Sequence, residues 1–312
     1  MTYKGLVIKS LGSSYSIRSD NGVFYECKLR GKFRTKGIKT TNPIAVGDRV
    51  VFVKEENSPY GVIMEILPRK NYICRKSINL SKISHIIAAN IDVAFLIISL
   101  KDPKTPLGFI DRFLITAQSF RIPTVIVFNK TDIYDTQNIL QMTDLQSIYQ
   151  PLGYHCIATS AVTKSGMNEL KSFMQDKITL FSGQSGVGKS SIINTIETHL
   201  QLKTATISHY NSKGKHTTTF AELFELSFGG YIIDTPGIKE FGLIDYTPQE
   251  IGHYLPEMLA LLPHCKFNNC THTHEPQCAV KQALNEGKIA PSRYNNYLSI
   301  INDDDIELKE WI

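Results

Sequence analysis

Residues 183 to 190 read Gly183-Gln184-Ser185-Gly186-Val187-Gly188-Lys189-Ser190, a match to G-x-x-x-x-G-K-[ST]. The apolar run 178–181 precedes it, and a stretch with Ile192, Ile193 and Ile196 on one helical side follows. Strand, glycine-rich loop and helix in that order predict a P-loop. Such a loop exists only where a strand ends in a crevice and a helix begins, so it commits the chain to an α/β sheet. The rest of the middle of the chain agrees. Apolar runs at 93–99, 125–128, 156–159 and 231–233 alternate with helical patterns at 111–118, 139–149, 167–174 and 189–200. That alternation predicts a mainly parallel sheet covered on both faces, with its ligand at the carboxyl ends of the strands.

The P-loop assigns roles. Backbone N–H groups from Gly183 to Gly188 surround phosphates, the helix N-terminus adds its positive end, Lys189 reaches the β and γ phosphates, and Ser190 ligates Mg²⁺, with Ser191 beside it. Asp234-Thr235-Pro236-Gly237 follows the strand 231–233. A carboxylate there serves the Mg²⁺ shell, and the Gly237 amide can donate to a γ-phosphate oxygen. Asn129-Lys130-Thr131-Asp132 follows the strand 125–128. Guanine offers adjacent N1–H and N2–H donors that one carboxylate, Asp132, accepts together, so this motif predicts GTP over ATP. Ser160 and Ala161, after the strand 156–159, are candidates to complete the guanine pocket through their backbone.

In ordinary GTPases the P-loop comes first and N-K-x-D later; here the base-reading motif precedes it. Parallel βα units can be cut and rejoined without moving their strands, because chain termini commonly lie near each other. The domain is therefore expected to be a circularly permuted GTPase, with the stretch after Gly237 feeding into the C-terminal segment. Between P-loop and Asp234 lies Lys213-Gly214-Lys215-His216-Thr217-Thr218-Thr219, polar and of switch character. Thr218 is the favoured additional Mg²⁺ ligand there. Ile238 occupies the place where many GTPases carry a water-positioning glutamine. It cannot hydrogen-bond, which makes His216 a candidate to orient the attacking water, against a purely structural role for that loop histidine.

The first 70 residues have a different pattern. Short strand signals at 6–8, 14–18, 23–29, 49–54 and 62–67, separated by turn residues, fit a five-stranded barrel of OB type, with an SH3-like barrel as the alternative. The charge is concentrated here. Residues 1–72 hold 13 Lys/Arg against 6 Asp/Glu, although the whole chain is only +5. Lys28, Arg30, Lys32, Arg34 and Lys36 recur at every second position and share one face of an extended strand, a stripe suited to a phosphate backbone. An edge strand protected by its charges needs no such ligand. At the other end, Cys265-x₄-Cys270-x-His272-x₅-Cys278 offers three thiolates and one imidazole, a set for a closed structural zinc site, with His264 and His274 as competing ligands. Cys27, Cys74 and Cys156 are scattered, which argues against a disulfide framework. No apolar run approaches the ~20 residues of a membrane span, since 91–100 is interrupted by Asp92, and the N-terminus lacks a signal-peptide pattern.

These features, in this order, resemble the RsgA (YjeQ) family of small ribosomal subunit biogenesis GTPases: an Arg30 to Arg34 R-G-K-x-R segment, N-K-x-D, P-loop, G-K-H-T-T-T, D-T-P-G and the Cys/His cluster. The resemblance covers essentially the whole chain. It implies an OB-fold over 1–72, a permuted GTPase domain over 73–245 and a mostly helical zinc domain over 246–312. It also implies a cytoplasmic monomer that binds GTP/GDP, the 30S subunit and 16S rRNA, with GTP hydrolysis stimulated by that subunit, and with His216 as the catalytic residue beside Lys189. Lys215 stands where an arginine is common in the family. A second function class, a GTP-regulated RNA-binding assembly chaperone in which hydrolysis is incidental, is motivated by Ile238.

Overall fold

The computed structural model describes residues 1–12, 14–29, 43–55, 58–76, 84–200, 221–234 and 246–302, with the backbone alone at Arg75, Lys76, Ser84, His85 and Asp234. Arg30, Lys32, Arg34, Lys36, His216, Thr218, Gly237 and Ile238 lie outside the described residues. The chain divides into two compact units, residues 1–94, 168–181 and 193–238, and residues 95–167, 182–192 and 239–312.

The first unit begins with the barrel. Strands β1 (Thr2–Ser10), β2 (Tyr15–Ser19), β3 (Phe24–Leu29), β4 (Arg49–Lys54) and β5 (Gly61–Ile66) hydrogen-bond in the order β1-β2-β3-β5-β4, and β1 pairs with β4 to close the ring. The β3–β5 pair is parallel and the others antiparallel. This is the five-stranded Greek-key barrel of the OB type. Alternation builds its interior: in β2, Tyr15, Ile17 and Ser19 point inward while Ser16 and Arg18 do not. Val7, Ile17, Cys27, Val50, Phe52 and Ile63 are fully buried. β1 is longer than the expected 6–8 because it is paired on both sides, with β2 and β4, and a bulge between Val7 and Lys9 carries it onward.

Three strands, β6 (Tyr72–Lys76), β7 (Ser84–Ala89) and β12 (Glu222–Glu225), are not among the sequence expectations. β6 and β7 form an antiparallel hairpin. The same unit holds β11 (Ile178–Ser182), β12, β13 (Tyr231–Asp234) and α3 (Met167–Met174). β13 runs parallel to β11 and antiparallel to β12, and β12 meets β1 of the barrel at Lys9↔Glu222.

In the second unit, β8 (Val93–Ile98), β9 (Thr124–Phe128) and β10 (His155–Ala158) lie in the order β10-β9-β8, and β9 and β10 are parallel. Every residue of β8 and β9 is buried, which is why these strands read as unbroken apolar runs. Helix α1 (Leu107–Ser119) connects β8 to β9, and α2 (Thr136–Tyr149) connects β9 to β10. Helix α4 (Lys189–Ile196) opens at the P-loop lysine and ends four residues before the expected 200. Helices α5 (Pro248–His253), α6 (Pro256–Leu261), α7 (Ala279–Asn285) and α8 (Pro291–Asn302) enclose a core containing Met258, Val280, Ile289 and Tyr297, joined by Ile115 of α1.

A buried polar cluster ties these helices together. Arg293 of α8 donates to Asp111 of α1 at 2.5 Å and, through both Nε and Nη2, to Glu257 of α6 at 2.7 and 3.0 Å. Asp111 also accepts from Tyr149 of α2 at 2.8 Å and Asn296 of α8 at 2.5 Å. Against the burial that would lower it, Asp111 and Glu257 hold the Arg293 guanidinium charged. Among the described residues, no helix is long and apolar enough to cross a membrane.

Candidate nucleotide site and metal centre

The P-loop lies between β11 and α4. Gly183 (φ 145°) and Gly188 (φ 96°) adopt backbone conformations closed to other residues, and each is also hemmed in. A Cβ on Gly183 would run into the Ile97 carbonyl oxygen; one on Gly188 would meet the Asn129 amide. The loop is thus shaped from behind, leaving its N–H groups for a ligand. Lys189 Nζ donates to the carbonyls of Gly183 and Gln184 at 2.5 and 2.7 Å, which folds the side chain over its own loop where phosphates belong. Ser190 is 9% exposed at the first turn of α4.

Asn129 links the base-reading motif to this loop. It is 1% exposed; its Nδ2 donates to the Val187 carbonyl at 2.8 Å, and its Oδ1 accepts from the Thr159 hydroxyl at 3.1 Å. Its own N–H donates to Ile98 at 2.8 Å. One side chain therefore fastens the ends of β9 and β10 to the middle of the P-loop. Lys130 takes a left-handed conformation (φ 66°) and its Nζ donates to the Asp102 carbonyl. The Thr131 hydroxyl donates to the Thr159 carbonyl at 3.0 Å. Asp132, at the tip, is exposed. The Ser160 hydroxyl donates to Asp132 Oδ1 at 2.5 Å and accepts from Thr163 N–H at 3.1 Å. That bond fixes the carboxylate's rotation and leaves its other oxygen open. Ser160 thus contributes a side chain, where the sequence suggested backbone contacts. Ala161 follows it in the same loop.

Two contributors were missed by sequence reasoning. Thr159 orients Asn129, and Tyr134 bridges Leu100 N–H and the Asn129 carbonyl through its hydroxyl, both at 2.9 Å. The only hints were the place of Thr159 just after β10 and of Tyr134 two residues beyond Asp132. Of the magnesium candidates, Ser190 is at the P-loop, and the backbone of Asp234 ends β13 directly opposite Glu222.

The Cys/His cluster assembles as spaced. One ligand atom from each of Cys265, Cys270, His272 and Cys278 lies within 4.8 Å of the others. His272 Nδ1 is 3.7 Å from Cys265 Sγ and 3.4 Å from Cys278 Sγ. A tetrahedral zinc with S and N ligands would require edges of about 3.5–3.8 Å, so the donor set fits. Burial pushes the Cys270 thiol up to about 12, so a bound cation is needed to favour its thiolate, and lowers the His272 imidazole, which keeps that ring in the neutral form that ligates. Glu275 braces the loop by accepting from Thr271 N–H and hydroxyl at 2.7 and 2.6 Å and from Thr273 N–H at 3.0 Å. Tyr294 and Tyr297 of α8 donate to the carbonyls of His272 and Thr271 at 2.6 and 2.5 Å. His264 and His274 are exposed and outside the cluster. The other three cysteines are unbridged, and burial holds the thiols of Cys27 and Cys156 at about 12, far from reactive.

Of the basic stripe, Lys28 is described: it is exposed, with Nζ 3.8 Å from the centre of the Tyr60 ring. Phe24, on the same strand, is 59% exposed.

Comparison with known proteins gives a consistent result. The family model described as RsgA GTPase matches residues 66–244, and that described as RsgA N-terminal domain matches residues 4–63. A protein of Flavobacterium psychrophilum named small ribosomal subunit biogenesis GTPase RsgA is 54% identical over 303 residues, covering 96% of this chain and 93% of its own. The Bacteroides fragilis protein of the same name is 50% identical over 301 residues, 96% of each chain. Among solved structures, YjeQ from Thermotoga maritima matches with a TM-score of 0.80 at 36% identity, covering 97% of this chain and 98% of that one. YloQ, titled a circularly permuted GTPase, matches at 0.76 and 28% identity over 99% and 96%.

Proposed function

This chain belongs to the RsgA family of circularly permuted GTPases, and from that premise we propose that it binds the 30S subunit and hydrolyses GTP during late maturation of that particle. The observation that carries the nucleotide part is Asn129, whose amide joins the guanine-reading loop to the P-loop. A site in which base and phosphate readers share one buried hydrogen bond selects a guanine nucleotide as a unit.

Asp132 accepts the N1–H and N2–H of guanine, oriented by Ser160, while Asn129, Lys130, Thr131 and the Ala161 backbone frame the base. Lys189 exchanges the carbonyls of Gly183 and Gln184 for β and γ phosphate oxygens, a neutral partner for an anionic one. The amides of Gly183 to Gly188 and the start of α4, with Ser191, receive the remaining phosphate charge. Ser190, Asp234 and Thr218 would hold the magnesium that accompanies GTP, and that ion neutralises charge developing on the phosphates. The Gly237 amide senses the γ-phosphate, and His216 orients the attacking water, the task that Ile238 cannot perform.

Cys265, Cys270, His272 and Cys278 would hold one structural zinc. With all four positions supplied by protein, it contributes folding. Lys28, Arg30, Lys32, Arg34 and Lys36, with exposed Phe24 and Tyr60, supply the barrel's surface for 16S rRNA. The reading is of a cytoplasmic monomer. Its test is co-sedimentation with purified 30S subunits in GDP, GTP and a non-hydrolysable analogue. Tighter binding in the triphosphate states, weakening steeply with salt, is expected; equal binding in all three would contradict a nucleotide-gated role.

A further inference from the structure

The β12–β13 hairpin is bounded by nucleotide chemistry at both ends. The chain enters β12 three residues after Thr219 and leaves β13 at Asp234. Each strand is only four residues long. β13 is supported by β11 on one side and β12 on the other, but the outer neighbour of β12 is β1 of the barrel. Among the described residues that junction has a single register pair, Lys9↔Glu222. One pair of backbone partners holds a strand weakly, and without the barrel β12 would be a bare edge.

Side chains supply what the ladder lacks. Lys9 Nζ lies 2.9 Å from Glu222 Oε2, and Arg18 Nη1, on β2, lies 2.8 Å from Glu225 Oε1 and 2.6 Å from the Tyr231 hydroxyl. The placement is systematic. Glu222 faces Asp234 across the hairpin, and Glu225 faces Tyr231. Thus one barrel cation grips each of the two cross-strand ranks that terminate the hairpin, and the rank held by Lys9 is the one that contains Asp234.

We propose that Lys9 and Arg18 are positioning residues for GTP hydrolysis: from the barrel they hold the β12–β13 hairpin in register and so fix the cross-strand rank that contains Asp234. The proposal rests on the reading of Asp234 as the magnesium-shell carboxylate.

The test uses the full-length protein, with the Mg²⁺ concentration for half-maximal GTP hydrolysis as the primary readout, and with GDP affinity in excess EDTA and thermal midpoint as controls. Lys9→Glu and Glu222→Lys should each raise half-saturating Mg²⁺ about three- to fivefold, the scale set by one partly exposed ion pair. Combining both should restore it to within about twofold of wild type by re-forming the pair in reverse, an outcome that general destabilisation does not produce. Arg18→Met, with Tyr231→Phe as a milder companion, should shift Mg²⁺ dependence the same way while GDP affinity without Mg²⁺ stays unchanged. Wild-type Mg²⁺ dependence in the single variants, or no restoration by the swap, overturns the proposal. Wild-type protein that hydrolyses no GTP overturns the functional reading beneath it instead, so the two failures are distinguishable.

Discussion

Asp132 illustrates how one side chain decides a substrate. It is exposed and held by Ser160 through one oxygen, so it meets the base already oriented. Replacing it with asparagine exchanges a pure acceptor for a group that also donates. Asp132→Asn should weaken GTP binding roughly a hundredfold, about 3 kcal/mol for two charge-assisted bonds, while xanthosine nucleotides, which present a carbonyl at C2, gain affinity. Competition binding with the two nucleotides measures this, and an unchanged preference would remove guanine readout by Asp132. The chemistry of the motif was legible because guanine's paired donors demand a carboxylate. The supporting roles of Thr159 and Tyr134 were not. They act through side-chain hydrogen bonds, Thr159 to Asn129 at 3.1 Å and Tyr134 to Leu100 and Asn129 at 2.9 Å, that leave no spacing or periodicity in the chain.

At the scale of elements, the zinc loop and the C-terminal helices depend on buried polar contacts. Desolvation would raise the Glu275 carboxyl, but hydrogen bonds from the Thr271 side chain and backbone, and from Thr273, bring it down to about 2. Because its folded value is depressed, its stabilisation is complete above the ordinary 4.5 and disappears as pH falls toward 2. Glu275→Gln should therefore melt earlier than wild type at pH 7, by about 1–3 kcal/mol, with the gap closing between pH 4.5 and 2. Equal midpoints at pH 7 would show that Glu275 does not brace the loop. Arg293 has a larger effect. Arg293→Met leaves Asp111 and Glu257 buried without their cation and should cost about 3–5 kcal/mol by thermal or denaturant melting. Arg293→Lys should recover little, since an ammonium cannot make the two-pronged contact with Glu257; a variant as stable as wild type would contradict the cluster's role. The main strands and helices were legible from apolar periodicity, above all β8 and β9. The β6–β7 hairpin was not, because Tyr72–Lys76 and Ser84–Ala89 are short and mix polar with apolar residues, and the pairing that makes them strands is between the two. β12 escaped notice for the same reason: at four residues, its identity comes from β13 and β1.

For the whole molecule, the order of motifs announced the permutation, and the family match and permuted structural relatives agree with it. Charge arithmetic concentrates the positive charge in residues 1–72, and the described strands there have the order and closure of an OB-fold. The division into two units cuts through the nucleotide motifs: base reader, P-loop and Cys/His cluster belong to one, the barrel and Asp234 to the other. The chain contributes three separate segments to each unit. The central claim is that GTP turnover here answers to the small ribosomal subunit, and the most direct measurement is the rate of GTP hydrolysis with and without purified 30S subunits, for wild type, Lys189→Ala and His216→Ala. The expected result is a slow intrinsic rate that rises at least tenfold with subunits, is absent in Lys189→Ala, and is reduced about a hundredfold or more in His216→Ala at unchanged GDP affinity. A wild-type rate that added subunits leave unchanged across a range of salt would contradict it.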